Sequence, residues 1–356
     1  GRTLDRLGVS AKIRTVLVWV AILNPHDAYF ALFVLTDAIA QSLFVFFLAF
    51  FIRALQGRNL AQLRDFALAW AFLCAAIFVR PSSLYLPIFL LIGLAVFYWR
   101  ERRGLWLRVF ACAVLLIFIP VLGWTLRNRA VTGYSGFSAI TEANLYFYHA
   151  AGVRSAQSGA DFYQVQRDLL HDPIYRSNLE RMSPPDAQKA TALPILLNDL
   201  PTYIRLHFRG MAAILLYPGT FDLFRLQNFG IQLIASVREM FLSNGLSPAL
   251  AGALLTDPFG LMSLVNIVIL AFLTGMAIRA MIRTLRVGAV DRIIACALLG
   301  VTLYNLLISA GPNGFGTYPR FRLSVSILLL LWIGAGSLNR TNVSGSEAEK
   351  ISSPDE

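Results

Sequence analysis

Long apolar runs separated by short polar turns constrain this chain more than any other feature of its sequence. A helix needs about 20 consecutive, mostly apolar residues to cross a bilayer, and several runs approach that length. The composition agrees, since 57% of the residues are hydrophobic, 14% are charged and the mean hydropathy is +0.62. We therefore predict an all-α polytopic membrane protein with spans at about 13–24, 35–52, 66–80, 83–99, 105–124, 262–280, 291–310 and 322–337.

The formal net charge of +11 is explained better by helix orientation than by nucleic-acid binding. The chain has no nucleic-acid motif and no basic low-complexity tail. Lys and Arg in short loops mark the cytoplasmic side of a membrane protein. If the spans alternate in the order given, that side receives four basic clusters, which lie within 2–14, 53–64, 100–108 and 279–292.

The spans divide the chain into regions of different composition. Between the two membrane regions lies a long polar segment, which we predict to be a small extracytoplasmic domain of helices and loops. Within it, the sequence SPPD at Ser183–Asp186 indicates a helix start, with proline in the first turn. The predicted regions are a five-span membrane region (1–124), the extracytoplasmic domain (125–205), interfacial or re-entrant helices (206–261), a three-span membrane region (262–337) and a disordered cytoplasmic tail (338–356).

Two charged residues lie at the outer membrane edge without a role in orientation. Arg80 stands before a proline that should end its helix, and Asp37 begins the second span. Arginine suits phosphate because its planar fork forms two parallel hydrogen bonds, but it can also snorkel to the interface. An aspartate there can act as a base or bind a sugar hydroxyl or a metal, or it can simply complement the helix dipole. Both alternatives stay open for each residue.

The remaining chemical signals are weak. The four histidines, His26, His149, His171 and His207, show no metal-site spacing and are interpreted as ordinary loop or interface residues. The chain contains no glycine-rich nucleotide-binding motif, no P-loop and no nucleophile elbow. The sequence therefore predicts no cradle for a nucleotide-activated substrate.

Four stretches together carry a family resemblance. They match an Asn-Pro turn before a Thr-Asp helix start, an Arg-Pro turn between two spans, a Trp-x-x-Arg-Asn exit into an outer domain, and an aromatic-Arg-aromatic-Arg-Leu beginning of the last span. The last match has a proline inserted before its first arginine. The stretches are LNPHDAYFALFVLTDAIAQSLF, VRPSSLYLP, PVLGWTLRNRAVTGYSGFSAITEANLYFYHAAGV and YPRFRLSVSILLLLWIG.

In order and spacing, from residue 1 to about 337, the chain resembles the polyprenyl-phosphate-dependent glycosyltransferases of the GT-C fold. These include lipid A aminoarabinose transferases, protein O-mannosyltransferases and rhizobial galacturonosyl transferases. The resemblance implies an enzyme of the bacterial inner membrane whose active site faces the periplasm. Its expected partners are a polyprenyl-phosphate-linked sugar, membrane lipids, and a lipid A, polysaccharide or protein acceptor.

The resemblance also assigns roles to individual residues. Asp37 becomes a catalytic acidic residue, although the family's main acidic pair lies in a first outer loop that we expect upstream of residue 1. No cofactor is implied with certainty, and a divalent metal stays open. The expected donor or phosphate contacts are Arg80, Arg127, Asn128, Arg320 and Arg322.

Two other functions remain as alternatives. A transporter or flippase for a lipid-linked substrate predicts internal repeats and ionisable residues at the membrane midplane, whereas the charges here cluster at span ends. An inactive membrane subunit of an envelope-assembly system is the other alternative, because the family's main acidic loop is expected to be absent.

Overall fold

A computed structural model describes the chain over residues 4–5, 7, 9–22, 35–57, 59–99, 102–217, 258–287, 291–311 and 317–337. Of these residues, 87% are helical and none lies in a β-strand. Among them, six helices are long and apolar enough to cross a membrane. The prediction of an all-α polytopic membrane protein is therefore confirmed.

Each predicted span overlaps a helix among the described residues, but the six helices long and apolar enough to cross a membrane do not include those at 11–22 and 317–336. The overlap is expected, because a helix satisfies all the backbone hydrogen bonds of an apolar run within the run itself. In chain order the main helices are α1 (Ala11–Ile22), α2 (Leu35–Gln56), α3 (Asn59–Val79), α4 (Leu86–Tyr98), α5 (Arg103–Thr132), α6 (140–158), α7 (Phe162–Leu169), α8 (Pro173–Leu179), α9 (Pro184–Asn198), α10 (Leu200–Leu216), α11 (Pro258–Val287), α12 (Arg292–Ser309) and α13 (Thr317–Gly336).

The outer surfaces of these helices suit lipid rather than water. Val96 on α4 is 76% exposed, Leu115 on α5 is 63% exposed and Phe272 on α11 is 65% exposed. Soluble monomers rarely expose large contiguous apolar patches. The exposed apolar side chains on several long helices therefore support membrane insertion independently of helix length.

Helix α3 begins at Asn59, well before the predicted start at residue 66. Its first turns are polar, so the apolar pattern does not include them. Asp65 in this part of α3 is buried, and both of its carboxylate oxygens accept hydrogen bonds from Arg53 near the end of α2. The ion pair lets α3 begin before its apolar stretch. It also connects α2 and α3 next to the turn between them.

Helix α5 is also longer than predicted, since it continues from residue 124 to Thr132. Its middle turns form a π-helical segment, Val114–Phe118, just before Pro120. A proline removes one backbone donor and its ring pushes against the preceding turn, and a π-helical turn is one way to accommodate such a disturbance. The helix ends at Gly133, whose φ of 74° is the left-handed conformation usual after a helix.

The described residues belong to two compact units. Unit 1 comprises the described residues within 1–113, 269–305 and 323–356, and unit 2 comprises those within 114–268 and 306–322. Unit 2 has its own apolar core, whose fully buried members are Tyr146, Ala150, Ala151, Val153, Ala187 and Ala192.

Side-chain caps define several helices of unit 2. Ser183 accepts a hydrogen bond from the Asp186 backbone N–H, and Pro184 opens α9, so the predicted helix start at SPPD is confirmed. Asp161, Asp172 and Asp199 cap α7, α8 and α10 in the same way.

Most of the predicted interfacial segment (218–257) and the predicted disordered tail (338–356) lie outside the described residues.

Candidate functional site

Two charged residues singled out in the sequence, Asp37 and Arg80, form an ion pair in unit 1. Asp37 lies in the first turn of α2 and is 1% exposed. Arg80 follows the last residue of α3, and its Nη1 donates a hydrogen bond to Asp37 Oδ1. Their association brings the candidate acid and the candidate phosphate-binding cation into one site.

The Arg-Pro turn fixes the position of Arg80. Its backbone is extended, with φ −147° and ψ 112°, because a residue that precedes proline avoids the helical region. Tyr304 on α12 holds the following turn: its hydroxyl donates to the Ser82 carbonyl at 2.7 Å and accepts from the Tyr85 N–H at 3.2 Å. The turn that presents Arg80 is thus hydrogen-bonded to α12, through a residue 222 positions after Ser82 in the sequence.

A small polar cavity adjoins the ion pair. Its volume is about 10 Å³, which is room for about one water molecule. Gln41 and Ser324 line it in addition to the turn residues, and sequence reasoning missed both. Gln41 lies one helical turn after Asp37, so the helix period could have indicated it, whereas Ser324 comes from a distant helix and gave no local signal. The polar lining residues are Asp37, Gln41, Arg80, Ser82, Ser83 and Ser324.

In this pair Asp37 is fully buried, whereas 21% of the Arg80 side chain is exposed. Removing two charges from water costs several kcal/mol per ion, and a buried pair often contributes no more than an apolar replacement of the same size. Asp37 contacts one end of the guanidinium and thereby orients it. An oriented guanidinium is a suitable partner for a phosphate, because its planar fork matches phosphate oxygens.

Arg127 and Asn128 lie in unit 2, near the end of α5. The exposed guanidinium of Arg127 stacks 4.9 Å from the centre of the Trp124 ring. The amide of Asn128 donates to the carbonyls of Gly136 and Phe137, both at 3.0 Å. Asn128 therefore holds the loop that follows α5, while the Arg127 side chain is exposed.

Of the two arginines at the start of α13, the structure describes the side chain of Arg322. Arg322 is 4% exposed, and its Nη2 donates to the Tyr217 carbonyl at 2.5 Å within unit 2. It thus connects the start of α13 to the residue that follows α10. The side chain of Arg320 lies outside the described residues, so its predicted phosphate contact stays a prediction.

Two histidines and a tyrosine form a cluster that the sequence gave no reason to expect. His149 Nδ1 lies 3.2 Å from the Tyr203 hydroxyl, and the His149 and His207 rings are 6.3 Å apart. Burial, followed by the neighbouring His207, lowers the pKa of His149 to about 4. Burial also lowers the pKa of His207, although its hydrogen bond to the Leu307 carbonyl opposes that shift. Both imidazoles are therefore neutral near pH 7.

The hydrogen bond of His207 defines its tautomer. Nε2 lies 2.9 Å from a carbonyl oxygen, which can only accept, so Nε2 carries the proton. Nδ1 is then the unprotonated nitrogen, and it is buried without a hydrogen-bond partner among the described residues. The cluster thus holds an imidazole that can accept a proton.

No set of three or more His, Cys, Asp and Glu side chains within the described ranges could hold a metal ion.

Comparison of the chain with family models, curated proteins and solved structures finds no match. The fold defines a multi-pass helical membrane protein, and its described residues form two compact units.

Proposed function

We propose that the protein is a glycosyltransferase that moves a sugar from a polyprenyl-phosphate donor to an acceptor on the periplasmic side of a bacterial inner membrane. The observation that carries the proposal is the ion pair between the buried Asp37 and the partly exposed Arg80, which lies beside a polar cavity at the ends of two apolar helices. The resemblance in sequence motifs supports the same reaction.

Arg80 would act on the leaving group. When the bond between sugar and phosphate breaks, negative charge develops on the polyprenyl phosphate, and a cation already in place stabilises it without reorganisation. Asp37 and the turn held by Tyr304 provide such placement for Arg80. The prenyl tail would remain in the bilayer beside the helices, since the pair lies at the end of membrane-spanning segments.

Asp37 serves this reaction as a positioning residue. An acceptor hydroxyl needs a base within hydrogen-bond reach, but the Asp37 carboxylate is already engaged by Arg80. We therefore do not assign proton removal to Asp37. Asp37 then affects the rate through the orientation of Arg80.

The donor class is the sharpest test of this proposal. The intact protein in liposomes would be offered a labelled sugar either on polyprenyl phosphate or on a nucleoside diphosphate, with a membrane extract as acceptor. We expect transfer from the lipid-linked donor alone, and we expect it to fall in the Arg80→Gln variant but not in a matched Arg108→Gln control. Transfer from the nucleotide sugar alone would refute the proposal, and movement of the lipid-linked sugar across the bilayer without transfer would favour a flippase.

A further inference from the structure

A second and larger cavity lies in unit 1, between α1, α11 and α13. Its volume is about 530 Å³. Val16 on α1, Leu273 on α11 and Leu330 on α13 are among its mostly apolar walls. It shares no lining residue with the cavity beside Asp37 and Arg80, so the proposed glycosyl transfer does not account for it.

Three basic side chains lie at one end of this groove. They are Lys12 near the start of α1 and Arg279 and Arg283 near the end of α11, and all three are exposed. Since a start and an end of the two helices meet there, α1 and α11 run in opposite directions along the groove. The cavity therefore has a cationic mouth and an apolar interior.

The length of the apolar part matches one leaflet of a bilayer. At about 1.5 Å per helical residue, the groove extends about 12 Å from Lys12 to Val20 and about 15 Å from Arg283 to Leu273. The hydrocarbon core of a bilayer is about 30 Å thick, so each leaflet contributes about 15 Å. A lipid whose headgroup met the basic residues would lay an acyl chain along the apolar walls.

We propose that this groove binds one anionic phospholipid, with its phosphate at Lys12, Arg279 and Arg283 and an acyl chain against Val16 and Leu273. Any membrane surface contacts surrounding lipid, but such contact requires neither a cavity nor a cluster of cations. Basic pockets between membrane helices select anionic headgroups by charge. The inference is independent of the proposed catalytic reaction.

The experiment compares two lipids that differ only in headgroup charge. The intact protein in a neutral detergent would be titrated with phosphatidylglycerol or with phosphatidylcholine carrying the same acyl chains, and bound lipid would be counted by native mass spectrometry. We expect one tightly bound phosphatidylglycerol and at least a tenfold weaker binding of phosphatidylcholine. Replacing two cations, in Lys12→Gln/Arg279→Gln, should weaken phosphatidylglycerol binding about 30-fold.

Two further variants separate the site from general effects. Arg102→Gln/Arg108→Gln removes two exposed basic residues that do not line the groove, and its lipid binding should equal that of the wild type. Val16→Trp keeps every charge but fills the apolar part, and it should also abolish the tight binding. Equal affinity for both lipids, unchanged binding in Lys12→Gln/Arg279→Gln, or unchanged binding in Val16→Trp would each overturn the proposal.

Discussion

At the scale of single residues, the two members of the central ion pair differ in their access to water. The Asp37 side chain is fully buried, whereas the Arg80 side chain is 21% exposed. If Asp37 is lost, Arg80 can turn its charge towards solvent, because long cationic side chains readily reach an interface. If Arg80 is lost, the fully buried Asp37 carboxylate loses the hydrogen bond that Arg80 donates. The two substitutions are therefore unequal in cost.

This difference gives a prediction for stability. We expect Arg80→Gln to lower the free energy of unfolding by less than the ~3–5 kcal/mol that breaking a fully buried pair costs, because Arg80 is partly exposed, and Asp37→Asn to lower it less still. The double variant Asp37→Asn/Arg80→Gln removes both charges of the pair, so it should be more stable than Arg80→Gln alone. Thermal unfolding of the wild type and the three variants in detergent measures these stabilities. The prediction would be contradicted if the double variant lost at least as much stability as the two single variants lose together.

At the scale of elements, sequence reasoning located the membrane helices but not their irregularities or contacts. Apolar runs define α2 and α12 because burial in lipid depends on local composition. The π-helical segment at Val114–Phe118 depends on how neighbouring turns adjust, which hydropathy does not describe. The contact between Asp37 and Arg80 joins residues 43 positions apart. Each residue was recognised as a candidate, but their pairing follows from the packing of α2 against α3.

The histidine cluster between α6 and α10 predicts a dependence of stability on pH. The pKa of His149 is about 4 in the folded protein, below its ordinary 6.5, so the unfolded chain takes up a proton first as the pH falls. Stability should therefore be highest above about pH 6.5 and should decrease towards pH 4. In His149→Gln this decrease should be smaller, as measured by the melting temperature between pH 7 and 4.5.

The matched control for the pH prediction is His171→Gln, since His171 is exposed. Its melting temperature should follow the wild-type pH dependence. A His149→Gln variant that loses stability as steeply as the wild type over this range would show that His149 is not the responsible group.

At the scale of the whole molecule, the basic clusters predict which ends of the helices face the cytoplasm. Arg102, Arg103 and Arg108 lie at or near the start of α5, and Arg279, Arg283 and Arg286 lie near the end of α11. Positive charge in short loops stays on the cytoplasmic side during insertion. The proposed periplasmic site at Asp37 and Arg80 depends on this orientation.

Labelling of single cysteines in intact cells tests the orientation. In a background without Cys74, Cys112 and Cys296, we expect a membrane-impermeant thiol reagent to modify Ser158→Cys and not Gly104→Cys. Both positions are exposed in the folded chain, so access alone does not distinguish them. Gly104→Cys should react once the cells are permeabilised, and the reverse pattern in intact cells would contradict the orientation.

The most direct test of the central claim is the affinity of the Asp37–Arg80 site for a polyprenyl phosphate. Binding of a short-chain polyprenyl phosphate would be measured on the purified wild type, on Asp37→Asn/Arg80→Gln, and on an Arg108→Gln control. If Arg80 binds the phosphate, the double variant should bind at least tenfold more weakly even though it recovers stability relative to Arg80→Gln, since charge-assisted phosphate contacts contribute about 1.5–3 kcal/mol each. The control should bind like the wild type. Wild-type affinity in the folded double variant would contradict the account and leave the pair as a purely structural contact.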